Sequence, residues 1–189
     1  MNKSHIFNSK HIDILESEDR KTWQNPQEII ELLELKPFYV VADLGCGSGY
    51  FTVPISREVK KIYGIDVQKE MLEFLEAKIL KQKILNIETL LSKENEIPLQ
   101  TESVDLLLSV NTLHELQDAE KIIKEIHRVI RQDGQVAIID FIKEKTDFGP
   151  PVAIRVSKEE ASRLFEKQGL TVLKAHKLTY HYLLVFRKS

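Results

Sequence analysis

The amino-acid sequence predicts an α/β fold: a doubly wound, mostly parallel sheet of seven strands that ends with an antiparallel strand at the C-terminus, with helices on both faces. Three observations carry this. Short apolar runs alternate with helix-period segments from Val40 onward. The runs are nearly continuous in apolar residues, as in strands buried on both faces. The last two runs are joined by a connection too short for a parallel crossover, so they must pair antiparallel.

Taken in order, "EDRKTWQNPQEIIELLEL" (18–35) reads as a loop followed by a helix, with Asn25 as its cap and Pro26 in its first turn. The first strand is "YVVADL" (39–44) and the second "KIYGID" (61–66). Met71, Leu72, Leu75 and Ile79 then recur at helical spacing, before strands at "IETLL" (87–91) and "VDLLLSV" (104–110). Ile122, Ile126, Val129 and Ile130 mark another helix, with Gly134 as its expected stop ahead of the strand "QVAIID" (135–140). Strand-helix alternation of this kind builds crossover units on a parallel sheet. "SKEE" (157–160) is a capping box, with a hydroxyl at the cap and a carboxylate three residues on. It opens a helix burying Ala161, Leu164 and Phe165 that Gly169 ends, and "LTVLKAHKL" and "HYLLVFR" form the closing pair.

A chain of 189 residues without a linker or internal repeat predicts one domain, with residues 37–189 as the core and 1–36 as a loop and helix covering it. The 27 basic and 29 acidic residues give a formal net charge of -2, so no field favours a phosphate backbone and nucleic acid is not an expected partner. "MNKSHIFNSKHIDIL" lacks the apolar core of a secretory signal, and no segment reaches about 18 unbroken apolar residues, so the expectation is a cytoplasmic protein with no membrane span. With Cys46 the single cysteine, neither an internal disulfide nor a thiolate-rich zinc site can form. His5, His11, His127, His176 and His181 show no ligand spacing, and no metal is expected.

The stretch "VVADLGCGSGYFTVP" (40–54) places Gly45, Gly47 and Gly49 directly after the first strand. Such a turn lets a ligand lie on bare backbone N–H groups at the carboxyl ends of the strands. A dinucleotide site prefers G-x-G-x-x-G, whereas this chain has G-C-G-S-G with Thr52 where the later glycine would fall. A P-loop fails as well, because no Gly-Lys-Ser/Thr follows.

With Asp66 closing the second strand, this stretch resembles the first two motifs of the class I S-adenosylmethionine-dependent methyltransferases. The resemblance runs from about residue 36 to the C-terminus, since "EIPLQTESVDLLLSVNTLHEL", "EIHRVIRQDGQVAIIDF" and the closing pair look like the branch that includes quinone-modifying enzymes. It implies a Rossmann-like fold, S-adenosylmethionine as cofactor and a small-molecule acceptor, quinone-like or another metabolite, or else a protein side chain. It also implies that Asp43 orients the cofactor's amino end, that Gly45, Cys46 and Gly47 line its methionine portion, that Asp66 accepts both ribose hydroxyls, and that Val67 and Met71 flank the adenine. Relatives carry an acid and a small residue shortly before "LP"; here Lys93 and Glu94 stand there, so either the acid has moved by one or backbone groups read the adenine edge.

On the acceptor side, "SVNTLHEL" follows the fourth strand. Asn111 is expected at the methionine end, and His114 is the candidate acid or base, since its ordinary pKa sits near neutrality. Trp23 and Arg155 are candidate acceptor contacts; for Arg155 the favoured use is an ion pair with a carboxylate such as Glu159, because arginines near helix starts commonly serve that way, and Trp23 reads equally as a core anchor. Cysteine-dependent chemistries are excluded, because the single thiol lies in the cofactor turn. A protein that holds adenosylmethionine without turnover stays open, and the assembly is expected to be a monomer or homodimer.

Overall fold

The computed structural model describes residues 17–188; residues 1–16 of the expected N-terminal cover, with His5 and His11, lie outside the described residues. The elements run α1 (Glu18–Trp23), α2 (Pro26–Leu33), β1 (Val40–Leu44), α3 (Thr52–Ile55), β2 (Lys61–Asp66), α4 (Lys69–Gln82), β3 (Ile87–Leu91), β4 (Val104–Val110), α5 (Ala119–Val129), β5 (Ile130–Phe141), α6 (Lys158–Glu166), β6 (Leu170–Lys177) and β7 (His181–Lys188). Single 3-10 turns lie at Leu113–Glu115 and Val152–Ile154.

The seven strands form one sheet in the order β3-β2-β1-β4-β5-β7-β6. The first five are parallel to their neighbours, and β7 runs antiparallel to both β5 and β6. Alternate residues feed two cores. Ala42, Leu107 and Ile138 pack with Ile122, Ile126 and Phe165 from α5 and α6. Val41, Leu106, Leu108 and Ile139 pack with Ile29, Leu33 and Ile55 from α2 and α3. The near-continuous apolar strands thus have the covering on both faces that they demand.

Capping follows the sequence at two helices. The Asn25 side chain accepts from the Gln27 N–H at 2.9 Å, and both halves of the Ser157–Glu160 box are made. Two expectations are corrected. The segment before Asn25 is not a loop throughout, because α1 occupies Glu18–Trp23. The helix before β5 stops at Val129 rather than near Gly134: Ile130 leaves helical geometry and pairs with Val104, and the register shift between Val104 and Leu106 absorbs the extra residues. Pairing with β4 outweighs the weak local preference to add another helical turn.

The order of strands reverses beside β1, which pairs in parallel with β2 on one side and β4 on the other. The carboxyl ends of β2, β1, β4 and β5 therefore lie in a row, and the crevice above them is where an open parallel sheet takes its ligand. Among the described residues, no helix is long and apolar enough to cross a membrane.

Candidate functional site

A cavity of about 620 Å³ opens over that row of strand ends. Its floor is the glycine turn, with φ of 74° at Gly45, 53° at Gly47 and 86° at Gly49, values that L side chains rarely adopt. Gly45 carries a second constraint, since a Cβ there would run into the Thr112 side chain. The Gly45 and Cys46 N–H groups reach back to the Ile65 carbonyl at 2.8 and 3.1 Å, which folds the turn against the end of β2.

Two buried carboxylates face each other across this turn. Asp66 accepts from the Gly47 N–H and the Gln68 N–H, each at 2.9 Å. Burial pushes its carboxyl above the usual range, while these backbone hydrogen bonds oppose the rise. Asp43 accepts from the Thr52 hydroxyl at 2.6 Å. Burial pushes Asp43 up to about 7, with the Asp66 charge adding to the rise and the Thr52 hydrogen bond and the Arg20 charge opposing it. Thr52 thus uses the position a dinucleotide fingerprint gives to glycine to hold a carboxylate in place. Cys46 is buried, and burial together with both carboxylates pushes its thiol well up, which leaves it without nucleophilic character.

Val67, Met71 and Asn111 border the same cavity. Asn111 sits at a φ of 57°, with its N–H donating to the Ile139 carbonyl at 2.8 Å. Its side-chain amide faces Gln24 through contacts of 3.3 and 3.4 Å. Lys93 and Glu94 also border the cavity, but the Lys93 ammonium turns to Glu96 at 3.0 Å and is largely exposed. Of the expected pair, the lysine therefore offers backbone rather than charge to a ligand.

At the far end His114 has a side chain 6% exposed, with Nδ1 at 2.7 Å from an Asp140 carboxylate oxygen. The other oxygen of Asp140 accepts from the His114 N–H at 3.1 Å. Burial works to lower the His114 pKa, but the hydrogen bond and charge of Asp140, helped by Glu115, outweigh it and leave the imidazole above its ordinary value. With Asp140 on Nδ1–H, the neutral ring presents Nε2 as an acceptor.

Aromatic side chains build the walls beside His114. Trp23 meets Phe148 with ring centroids 4.5 Å apart and stacks on the His181 ring at 5.6 Å. Gly149, at a φ of 102°, lets the following Pro150 and Pro151 turn over the cavity, and a Cβ there would enter the Phe141 ring at 2.6 Å. Arg155 is corrected: it neither borders the cavity nor pairs with a carboxylate such as Glu159. Its Nε donates to the Pro150 carbonyl at 2.8 Å, Nη1 to the Ile142 and Glu144 carbonyls at 3.0 and 2.8 Å, and Nη2 to the Thr146 hydroxyl and Phe148 carbonyl at 2.8 and 3.3 Å. It is a clamp that shapes the 142–155 segment.

Sequence reasoning missed Asp140, Arg20 and Tyr50. Arg20 borders the cavity and lies over the Tyr50 ring at 3.9 Å, and the Tyr50 hydroxyl donates to the Gln24 carbonyl at 3.0 Å. Asp140 carried a legible signal, an acid ending a parallel strand as Asp66 does. The donor set suits a nucleoside that is cationic at one end: two buried carboxylates, bare turn backbone and room for the whole molecule.

Residues 42–138 match the methyltransferase-domain family. A solved S-adenosylmethionine-dependent methyltransferase from Aquifex aeolicus is 31% identical, with 97% of this chain and 100% of that one covered and a TM-score of 0.93. An uncharacterized methyltransferase of Schizosaccharomyces pombe is 32% identical across 71% of this chain and 55% of its own length. A demethylmenaquinone methyltransferase of Bacillus velezensis is 24% identical across 88% of this chain and 84% of its own. The chain spans 49% and 37% of the length of two other curated relatives it matches.

Proposed function

The chain belongs to the class I S-adenosylmethionine-dependent methyltransferases, and from that premise we propose that it transfers the cofactor's methyl group to a small-molecule acceptor. The observation that carries this is the continuity of the cavity, which joins Asp66 and the glycine turn at one end to His114 at the other. In this reading Asp66 accepts from the ribose hydroxyls, since a carboxylate offers two acceptor oxygens at fixed spacing. Asp43 faces the amino end, and the backbone at 45–47 lines the methionine portion. Val67 and Met71 flank the adenine, with the Met71 sulfur as a polarizable contact. Bound there, adenosylmethionine supplies an electrophilic methyl on a sulfonium that leaves as a neutral thioether.

The chain's own share is positioning. Holding a nucleophile in line with the methyl lowers the barrier by removing the need for a chance encounter. The cover from α1 and from Gly149, Pro150 and Pro151 favours a small acceptor over a protein side chain, which needs an open mouth. The demethylmenaquinone methyltransferase relative supports a ring-shaped, quinone-like acceptor within that class.

Calorimetry with adenosylmethionine tests the cofactor half. The wild-type protein should bind it, and Asp66→Ala should weaken binding about 100-fold, the cost of leaving two hydroxyls without a charged acceptor. Unchanged affinity in the variant, or no binding by the wild type, would overturn this function. Incubation with methyl-labelled cofactor and a cell extract, before and after removal of small molecules, separates the acceptor classes. Label that enters protein after that removal points to a side-chain acceptor instead.

A further inference from the structure

The half of the cavity around His114 has its own chemistry, and it narrows the acceptor. Two carboxylates lie beside the imidazole, Asp140 on Nδ1 at 2.7 Å and Glu115 with an oxygen 4.0 Å from Nε2. The cations of the described elements around it are already held by protein groups. The Arg155 guanidinium, 5.1 Å over the Phe141 ring, spends its donors on oxygens of the 142–155 segment, Arg20 lies over Tyr50 and donates to the Gln24 amide oxygen, and the Lys93 ammonium turns to Glu96. An acceptor bearing a carboxylate or phosphate would meet like charge in a poorly hydrated space, which is costly. Trp23, Phe141 and Phe148 border this end and give it an aromatic, apolar lining instead.

Asp140 is 0% exposed, and besides holding His114 it accepts from the Phe141 N–H at 2.7 Å. Burying a carboxylate behind a histidine is expensive unless its orientation and charge are used. An amine already offers its lone pair to a methyl group once neutral, so it gains little from such a pair. A hydroxyl does not, because its oxygen becomes a good nucleophile only as its proton leaves.

We propose that the Trp23, Phe141 and Phe148 end is the acceptor site and takes an uncharged, planar ring bearing a hydroxyl, with His114 as the base that removes the hydroxyl proton and Asp140 as the residue that positions it. This rests on the methyl-transfer reading above. The O–H proton passes to Nε2 of His114, and the oxygen bonds to the methyl carbon. The carbon–sulfur bond breaks with its electron pair left on sulfur. The products are a methyl ether, adenosylhomocysteine and an imidazolium that returns its proton to solvent. Asp140 fixes the tautomer and balances the imidazolium charge; the other titratable or charged groups around the ring are Glu115, Arg155 and His181.

The test uses the full chain saturated with adenosylhomocysteine for binding and with adenosylmethionine for turnover, so that loss of cofactor binding is seen separately and counts against the methyl-transfer reading alone. Trp23 is the single tryptophan and its quenching reports occupancy of this end directly. The probes are p-ethylphenol, p-ethylaniline and p-ethylbenzoate. Expected are quenching by the phenol at concentrations about tenfold below those needed for the benzoate, and methyl ether formed only from the phenol. Equal or tighter binding of the benzoate, faster methylation of the aniline, or no phenol turnover by cofactor-loaded protein overturns the proposal. His114→Gln should lower phenol turnover about 100-fold yet lower that of p-nitrophenol, assayed above its own pKa so that it is ionised without a base, much less, although that anion binds more weakly to both proteins. Asp140→Asn should move the acid limb of the kcat profile to lower pH with cofactor affinity unchanged; if it does not fold, the His114→Gln comparison decides alone. An equal loss on both phenols would mean that His114 only packs.

Discussion

Replacing Asp43 by asparagine is expected to make the ligand-free protein more stable above neutral pH while weakening its hold on adenosylmethionine. Asp43 is 2% exposed, and burial moves its carboxyl from an ordinary value of 3.8 up to about 7, with the Thr52 hydrogen bond only partly offsetting this. Between those two values the folded protein keeps a proton that the unfolded chain has lost. The slope of unfolding free energy with pH follows protons bound in the unfolded state minus those in the folded state, so it is negative there and stability falls as pH rises. A shift of roughly three units at about 1.4 kcal/mol each corresponds to roughly 4 kcal/mol across the window. Asparagine keeps an oxygen for the Thr52 hydroxyl and never ionises, so it removes this dependence.

Urea unfolding followed by Trp23 fluorescence, for wild type and Asp43→Asn at about pH 5 and about pH 8, isolates Asp43 together with its coupling to Asp66, because groups out of reach of Asp43 cancel in the difference. The variant should gain on the wild type by a few kcal/mol between the two conditions. Cofactor affinity should run the opposite way: the cationic amino end prefers the ionised carboxyl, so wild-type affinity should rise by up to about tenfold per pH unit until about pH 7 and then level off, while the variant stays weak and flat. Parallel stability profiles, or a variant less stable on the alkaline side, would refute the claim that the fold buries this carboxylate against its own ionisation.

Two further outcomes follow from the same geometry. Gly45→Ala forces an L residue to a φ of 74° and drives its Cβ into a Thr112 side chain tied to the Val110 carbonyl at 3.1 Å, so chemical denaturation should show a loss of about 2–4 kcal/mol. Arg155→Lys keeps the charge but cannot serve five oxygens from one planar fork; a loss of about 2–3 kcal/mol should come with a raised KM for the acceptor and an unchanged calorimetric Kd for the cofactor.

Strand periodicity, the Asn25 cap and the Ser157 box were legible because each is local: neighbours in sequence are the partners in space. The glycine turn and the strand-terminal Asp66 were legible for the same reason, each being signalled within a few residues. The pairing of Asp140 with His114 was not. Asp140 meets His114 only because β4 and β5 pair with Val110 opposite Ile139, and a register is not written in either strand alone. Arg155 reads in sequence as an exposed partner for charge, yet the turn at 149–151 folds the preceding segment back over it and supplies carbonyls instead. Lys93 looks like a departure from the cofactor pattern until its ammonium is found with Glu96, which leaves the cavity edge to backbone.

The order of the strands gives the proposed chemistry its direction. Asp66 ends β2, Asp43 and Asp140 stand one residue before the ends of β1 and β5, and Asn111 directly follows β4; these strands are successive neighbours in the sheet. On the proposed reading, a ligand laid along that row meets Asp66 first, Asp43 and the glycine turn next, and His114 last. Its reactive end then falls where α1 and the 142–155 segment close over the sheet. These two covers come from before β1 and from after β5, outside the β1–β4 core to which the proposed function gives the nucleoside. On this reading acceptor choice can change through Phe148 or the Gly149–Pro150–Pro151 turn with less effect on cofactor binding than a change in α1, because Gln24, at the end of α1, meets Asn111 and the Arg20 charge reaches Asp43.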